Sequence, residues 1–343
     1  MKRRARNKAP LFSFIVLNRN GAAVVAQCLE SLINQDFPKS RYEIILVDNA
    51  SSDRSDAIVQ ERFHTVRVIR SATNRGYSGG MHLGASHTKG NFLVFVNNDT
   101  QFSENWIRTM LPTLVDTKAL AIVGSRIFQD PSMTVLNHAR GLISFLGNGF
   151  EIGFDEKTTT TTPLVSRVGY ISGAAFLIPR LLFDKLGGFD ESYFIYCEDV
   201  DLCWRAWLLG YEVIVQSAAT LVHESQTGQR VNWTRYFHWH KNSLSNIIKN
   251  FELRTLVAAL VLYSALQTAR IISAIRWRSP WRIIILARAN LWVLRNVGNI
   301  IAKRAAVQAS RKLSDRTLLR KGIFLPLRST FIQGRRMLQN QNT

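Results

Sequence analysis

The sequence predicts an α/β fold, a mostly parallel central sheet with helices on both faces, followed by a basic helical region. Three observations carry that reading. Four short Val/Ile/Phe-rich runs, at 11–17, 43–47, 66–70 and 92–96, alternate with stretches whose apolar residues recur at helical spacing. Each run ends abruptly in polar residues: "NRN" at 18–20, "DNASSD" at 48–53, "SATNRG" at 71–76 and "NNDT" at 97–100. The charge is also unevenly divided: residues 231–343 hold 20 Lys and Arg against 2 Asp and Glu, whereas residues 9–230 hold 19 against 22.

Taken in order, residues 1–9 read as a basic tail. The apolar run "LFSFIVL" behind it is short and is followed by "NRNG" instead of a small-residue cleavage site, which argues against a secretory signal. "AAVVAQCLESLINQ" (22–35) predicts the first helix, and "YSGGMHLGASHTKG" (77–90) a helix ending at Gly90. Strands alternating with helices give a sheet whose ligands sit beyond the strands' carboxyl ends. The four polar ends should therefore form one site. Further on, the pattern predicts a helix near 103–116, strands near 120–128 and 168–178, and a helix near 180–186; the threonine-rich "DEKTTTTTPLV" (155–165) reads as a mobile loop. From 231 the pattern is helical, and no internal repeat is evident. Domain boundaries fall at 10–100, 101–230 and 231–343. The cysteines, Cys28, Cys197 and Cys203, are odd in number and lack CxxC spacing, which argues for a reducing compartment and against a zinc cluster.

The polar ends carry the chemistry. Asp48, closing "ILVD", can accept hydrogen bonds from a base or ribose; an Asx turn capping the next helix explains it as well. Arg75, within "TNRGYSGG", can pair with diphosphate oxygens while Gly76, Gly79 and Gly80 allow close backbone approach; a solvated arginine at a helix entry is the plainer account. Neither a P-loop nor a GxGxxG motif is present. "GGFDESYFIYCEDVDLCWRAWLLGYEV" sets Glu198, Asp199 and Asp201 at the start of a helix. The macrodipole favours acids there by ~0.3–1 kcal/mol each. It does not explain adjacent carboxylates behind the aromatic "YFIYC", where apolar surroundings raise proton affinity and suit a general base. His223 ends another apolar run, as a metal ligand or as a structural histidine.

In this order and spacing, "DNASSD", "NRGYSGG", "NNDT" and "GGFDESYFIYCEDVDLCWRAWLLGY…VHES" resemble the inverting family 2 glycosyltransferases of GT-A fold, and among them rhamnosyltransferase-like members that extend bacterial cell-surface polysaccharides. The resemblance covers residues 10–225 and implies that 10–100 form a nucleotide-sugar-binding half and 101–230 an acceptor and catalytic half. It implies that Asp48 and Asn49 hold the nucleoside, with Asn18 and Asn98 as further polar contacts and Arg75 near the base or diphosphate. Asp99, the last position of a DxD-type motif, and His223 would hold a divalent metal, Mg²⁺ or Mn²⁺. Asn97 stands where that motif starts with an acid; it could ligate the metal through its side-chain carbonyl oxygen but brings no charge, which implies a weaker site completed by diphosphate oxygens. Asp199 would be the catalytic base, Glu198 the second candidate. The donor would be a nucleotide sugar, with rhamnose the implied sugar, and the acceptor a saccharide, lipid-linked or free. The QxxRW motif of processive synthases is missing, so one or few sugars per encounter are expected.

The basic C-terminal part calls for its own explanation. "TLVAALVLYSALQTA" (255–269) is uncharged, but Arg270 and Arg276 follow quickly and leave it shorter than the ~20 residues of a spanning helix. "AIRWRSPWRIIILARANLWVLR" (274–295) mixes Trp, Arg and aliphatics as an interfacial helix does, and "KRAAVQASRKLSDRTLLRK" (303–321) continues as a basic helix. Together they predict peripheral attachment to an anionic membrane surface at the cytoplasmic face. A helical homo-oligomer interface is the alternative. Nucleic acid is disfavoured as a partner, since the cations are interleaved with Trp, Ile and Leu and no zinc-finger or RNP signature occurs. A non-catalytic assembly subunit, having lost metal binding at Asn97, is the remaining alternative.

Overall fold

Parallel strands buried on both faces are apolar along most of their length, as the runs at 11–17, 43–47 and 92–96 are. The computed structural model describes residues 11–116, 121–157, 164–224 and 233–330. Strands β1 (Phe12–Asn18), β2 (Tyr42–Asn49), β3 (Arg67–Ser71) and β4 (Phe92–Asn97) alternate with helices α1 (Val25–Ile33), α2 (Ser55–Arg62) and α3 (Gly76–Ser86). All four strands run parallel in the order β4-β1-β2-β3. Their register sets Asn18 opposite Asp48 and Leu17 opposite Asn97, so the polar ends do share one edge.

Beyond them lie β5 (Thr100–Phe102), α4 (Trp106–Asp116), β6 (Ala121–Phe128), β7 (Leu136–His138), β8 (Arg140–Ile143), β9 (Gly149–Ile152), β10 (Val165–Arg167), β11 (Ala175–Pro179), α5 (Arg180–Lys185), α6 (Glu198–Leu208) and β12 (Glu212–His223). Antiparallel β11 joins β4 to β6, and the sheet continues through β12 to β10. Alternate side chains feed two apolar layers. Ile15, Val47 and Phe95 pack with Tyr77, Phe183, Phe189 and Trp204. Phe14, Leu46 and Val96 pack on the other face with Cys28, Leu29 and Trp106. All three cysteines are free and buried.

The remainder is helical: α7 (Trp233–Asn250), α8 (Leu253–Arg276), α9 (Pro280–Arg295), α10 (Val297–Ser310) and α11 (Asp315–Arg320). Ile247, Phe251, Tyr263, Leu318 and Phe324 belong to the same apolar cluster as Trp204. Phe251 sits edge-on to Trp204 with ring centroids 4.6 Å apart and stacks on Phe145.

Several expectations are corrected. Only Ala175–Pro179 of the strand expected over 168–178 is extended; Gly169 instead donates its amide to Gly141 and Gly173 donates to Asp199. Helix α3 stops at Ser86, before Gly90. The run 274–295 is broken, because Arg278 has φ 48° and Pro280 starts a new helix. The run 303–321 is broken too, where Ser314 caps α11 by accepting from the Thr317 amide at 3.1 Å. The uncharged stretch 255–269 belongs to a helix of 24 residues. Arg270 does not end its apolar outer face, for that side chain turns inward and is 4% exposed. By length and composition α8 could cross a membrane, with a third of its most apolar window buried. The basic tail 1–9 and residues 158–163 of the threonine-rich loop lie outside the described residues.

Candidate active site

At the carboxyl edge the first two strand-end loops are tied together. The Asn20 amide donates to Ser51 Oγ at 3.0 Å, the Ser52 amide to Asn20 Oδ1 at 2.8 Å, and the Ala22 amide to Asp53 Oδ2 at 2.8 Å. Asn18 Nδ2 donates to Ser55 Oγ at 2.7 Å, and Asn98 Nδ2 donates to Asn18 Oδ1 at 2.7 Å. Asn18 and Asn98 thus brace the edge with their side chains. Asn49 does likewise: its Nδ2 donates to Asn74 Oδ1 and the Gly76 carbonyl, both at 3.0 Å, and its Oδ1 accepts from the Arg75 amide at 2.8 Å. The Arg75 guanidinium turns to Glu191 at 3.4 Å, an exposed pair.

Two carboxylates at this edge keep buried oxygens free. Asp48, 5% exposed, has an Oδ1 without a hydrogen bond. Asp99 Oδ1 also lacks a hydrogen bond and stands 3.2 Å from His223 Nε2, while His223 Nδ1 is unpartnered. The pair comes together because β5 and β12 are antiparallel neighbours, with His223 opposite Thr100. A carboxylate oxygen facing an imidazole nitrogen, both lacking other partners, is a donor set that fits a divalent ion such as Mn²⁺. Among the described residues no third His, Cys, Asp or Glu joins them, so diphosphate or water oxygens would complete the shell. Asn97 is half-buried, and its side chain makes no hydrogen bond among the described residues. A cleft of about 260 Å³ opens beside this edge, lined in part by Arg19, Asn20, Asp99 and Glu224.

The second half of the site is built on α6. Asp199 Oδ1 accepts from the Val200 amide at 2.7 Å and Oδ2 from the Gly173 amide at 2.9 Å. Burial pushes its carboxyl up to about 6, against the opposing pull of these two amides. Glu198 is 5% exposed, with Oε2 buried and unpartnered. Burial, and then the neighbouring Asp199 charge, hold it well above the usual carboxylate range. The two halves meet at 173–174: the Ala174 carbonyl accepts from the Asn97 amide at 2.8 Å, next to the Gly173 amide on Asp199.

The approach to Asp199 is strained. Phe194, Tyr196 and Cys197 have φ of 65°, 70° and 64° without being glycine, and such residues persist only where surroundings over-determine them, at about 1–3 kcal/mol each. Gly76, with φ 67°, packs so closely on this segment that a Cβ would lie 2.3 Å from the Phe194 carbonyl oxygen. That carbonyl accepts from the amides of Tyr77 at 2.6 Å and Ser78 at 3.2 Å.

Sequence reasoning missed several groups here. His138 is wholly buried and pairs through Nδ1 with Glu151, which also accepts from the Tyr170 hydroxyl. Glu151 raises and His138 lowers the proton affinity of Asp199. These three lie on the β7–β9 hairpin region and the irregular segment before β11, where no periodic signal exists. Lys241, Asn242 and Asn246 of α7 were missed as well; the polar run "HKNSLSN" is their sequence signal.

The model of Glycosyl transferase family 2 matches residues 13–187. The chain is 26% identical over 247 residues to the probable glycosyltransferase YdaM of Bacillus subtilis, covering 70% of this chain and 57% of that protein. It is 28% identical over 223 residues to the N-acetylglucosaminyl-diphospho-decaprenol L-rhamnosyltransferase of Mycobacterium tuberculosis, covering 58% of this chain and 72% of that one. The fold is similar to that of the mannosyltransferase PcManGT of Pyrobaculum calidifontis in complex with GDP-Man and Mn²⁺, at TM-score 0.54 and 17% identity over 83% of this chain and 88% of that one.

Proposed function

Because the chain belongs to glycosyl transferase family 2, we propose that it moves a sugar from a nucleoside diphosphate to a saccharide hydroxyl with inversion, Asp199 acting as the base. The observation that carries this reading is Asp199 itself: a carboxylate fixed by two backbone amides, raised to about 6, beside the edge where Asp48 and Asp99 keep oxygens free. A base of that proton affinity is ionised at neutral pH yet still able to take a proton. Asp48 would accept from the base or ribose, and the edge bonds of Asn18, Asn49 and Asn98 would hold the loops around it. Arg75, released from the exposed Glu191, would reach the diphosphate. When bound, a divalent ion held by Asp99 and His223 would neutralise charge on the leaving diphosphate.

The finer reading is rhamnose from dTDP-rhamnose and a lipid-linked saccharide acceptor. It draws on the rhamnosyltransferase among the relatives and on the outer faces of α8 and α9. Leu253, Val257, Val261, Ile272 and Ile275 are exposed on α8, and Ile284, Leu291 and Leu294 on α9. No Asp or Glu occurs between 253 and 314. Two such faces would repel each other, whereas an anionic bilayer at the cytoplasmic side complements them.

The test is release of nucleoside diphosphate from a panel of sugar nucleotides, with Mg²⁺ or Mn²⁺ against EDTA and membrane lipid extract as acceptor. Metal-dependent release from one donor supports the reading and names the sugar. No release from any donor would leave a non-catalytic assembly subunit as the better account.

A further inference from the structure

The segment that delivers Asp199 is held from a helix far along the chain. Asn242 Nδ2 donates to the carbonyls of Tyr193, Ile195 and Tyr196 at 3.0, 2.9 and 2.6 Å. Its two N–H groups are thus shared among three acceptors that flank the positive-φ residues Phe194 and Tyr196. Lys241 Nζ donates to Asn242 Oδ1 at 2.7 Å, which turns the amide nitrogen toward the loop, and to the Ser192 carbonyl at 2.6 Å. One turn on, Asn246 donates to the Gly147 carbonyl at 2.8 Å and accepts from the Tyr193 hydroxyl at 2.7 Å.

All these side chains are buried: Lys241 is 2% exposed, Asn242 1% and Asn246 0%. A helix face that buries lysine and asparagines against carbonyls is committed to a polar contact, because each group would be costly if left unpaired. Lys241 is braced from behind by the Trp292 ring of α9, its Nζ 4.2 Å from the centroid. The Cys197 carbonyl then accepts from the Asp201 amide at 3.0 Å, which starts α6 with Asp199 at the Gly173 amide.

We propose that Asn242, oriented by Lys241, is a positioning residue for catalysis: it fixes the 193–197 backbone and with it the placement of Asp199. The proposal rests on Asp199 being the base. It makes α7 part of the catalytic apparatus, whatever the outer helices bind.

Asn242→Asp keeps the size and shape of the side chain but removes its donor. In the full-length chain we expect kcat to fall about 100-fold, as a displaced reacting group does. Binding of UDP and dTDP, read by calorimetry, should stay within about threefold, since the free oxygens of Asp48 and Asp99 sit on other elements. Asn242→Ser, which restores one donor, should recover part of kcat. A kcat within about threefold of wild type in Asn242→Asp overturns the proposal, and so does a loss matched by an equal loss of nucleotide affinity. Unfolding of both variants also overturns it, since Asn242 would then serve the fold at large. Asp199→Asn is measured beside them: wild-type turnover in that variant would show that the base assignment has failed, independently of Asn242.

Discussion

The strand ends and the segment leading to Asp199 are built on opposite terms. At the strand ends, Asp48 Oδ1 and His223 Nδ1 are buried without a hydrogen-bond partner among the described residues, and Asp99 Oδ1 faces only the His223 ring. In the segment leading to Asp199, the carbonyls of residues 192–197 are taken by Lys241, Asn242, Asn246, Tyr77 and Ser78 or by the turn itself. Unsatisfied polar groups are costly unless a ligand completes them, while a strained backbone persists only if its surroundings hold it. The contrast therefore separates a surface awaiting a ligand from a machine part set before the ligand arrives.

The largest effect should come from the preset half. Asp199→Asn removes the proposed base and also turns one N–H toward a backbone amide; we expect kcat to drop about 10³-fold, with nucleotide affinity little changed. Single-turnover transfer would check this, and an unchanged rate would move the base elsewhere. At the ligand half the cost should be smaller and should appear in metal dependence. Asp99→Ala should lower kcat/KM about 10²-fold and raise the Mn²⁺ concentration for half activity, with His223→Gln about tenfold weaker in effect. A titration of activity against Mn²⁺ distinguishes these variants from simple loss of fold.

Gly76 lies where the halves touch. An alanine there would need φ 67° and would drive its Cβ into the Phe194 carbonyl. Gly76→Ala should cost about 2 kcal/mol or more in a denaturant melt. If the halves are mechanically joined, it should also lower kcat in protein that remains folded.

Much of this was legible in sequence, and the reasons are physical. β1, β2 and β4 announce themselves because strands buried on both faces are apolar along most of their length and stop at polar residues, whereas β3 (Arg67–Ser71), at the sheet edge with Arg67 and Arg70 exposed, is legible only as a short apolar run. The pairing of Asp99 with His223 follows from two runs that both end at one edge. The stretch 168–174 was misread as strand because an irregular buried segment is as apolar as a strand: Val168 and Ile171 are wholly buried although neither is in one. Only Gly169 and Gly173, whose amides are needed elsewhere, hint at the difference. Helix α7 was read with the basic region because its polar residues answer to carbonyls 46 to 49 positions away, a distance at which no local pattern operates. Arg270 misled in the same way, as a charge in the sequence that turns inward beneath Trp239 instead of ending the apolar face of α8.

The smallest expected effect is the most discriminating, because acid should switch off Asp199 and the ion pairs of Asp190 and Asp201 at different points. Burial raises Asp199 to about 6. The base must be ionised, so kcat/KM should climb about tenfold per pH unit up to about pH 6 and level off above it. For stability the sign is reversed: a carboxyl that binds its proton more tightly when folded favours the folded state as pH falls through about 6 toward the unfolded value. Asp190 and Asp201 behave oppositely. Burial alone would raise them, but Lys249 and Lys303 outweigh it at Asp190, and Arg205 and Lys249 at Asp201, so both are held below the usual range. Their contribution is complete above the unfolded value near 3.8 and is lost only as pH falls through the lower folded values. Burial lowers the imidazoles of His238 and His240 on α7, so their neutral forms favour the folded state above the unfolded value near 6.5 and lose that contribution as pH falls, opposing the gain at Asp199. Near pH 5 the enzyme should still be folded by circular dichroism, yet roughly tenfold less active and fully restored on return to neutrality. If activity instead fell only in step with the folded fraction, the acid limb would report unfolding of the α7 contacts and not protonation of Asp199.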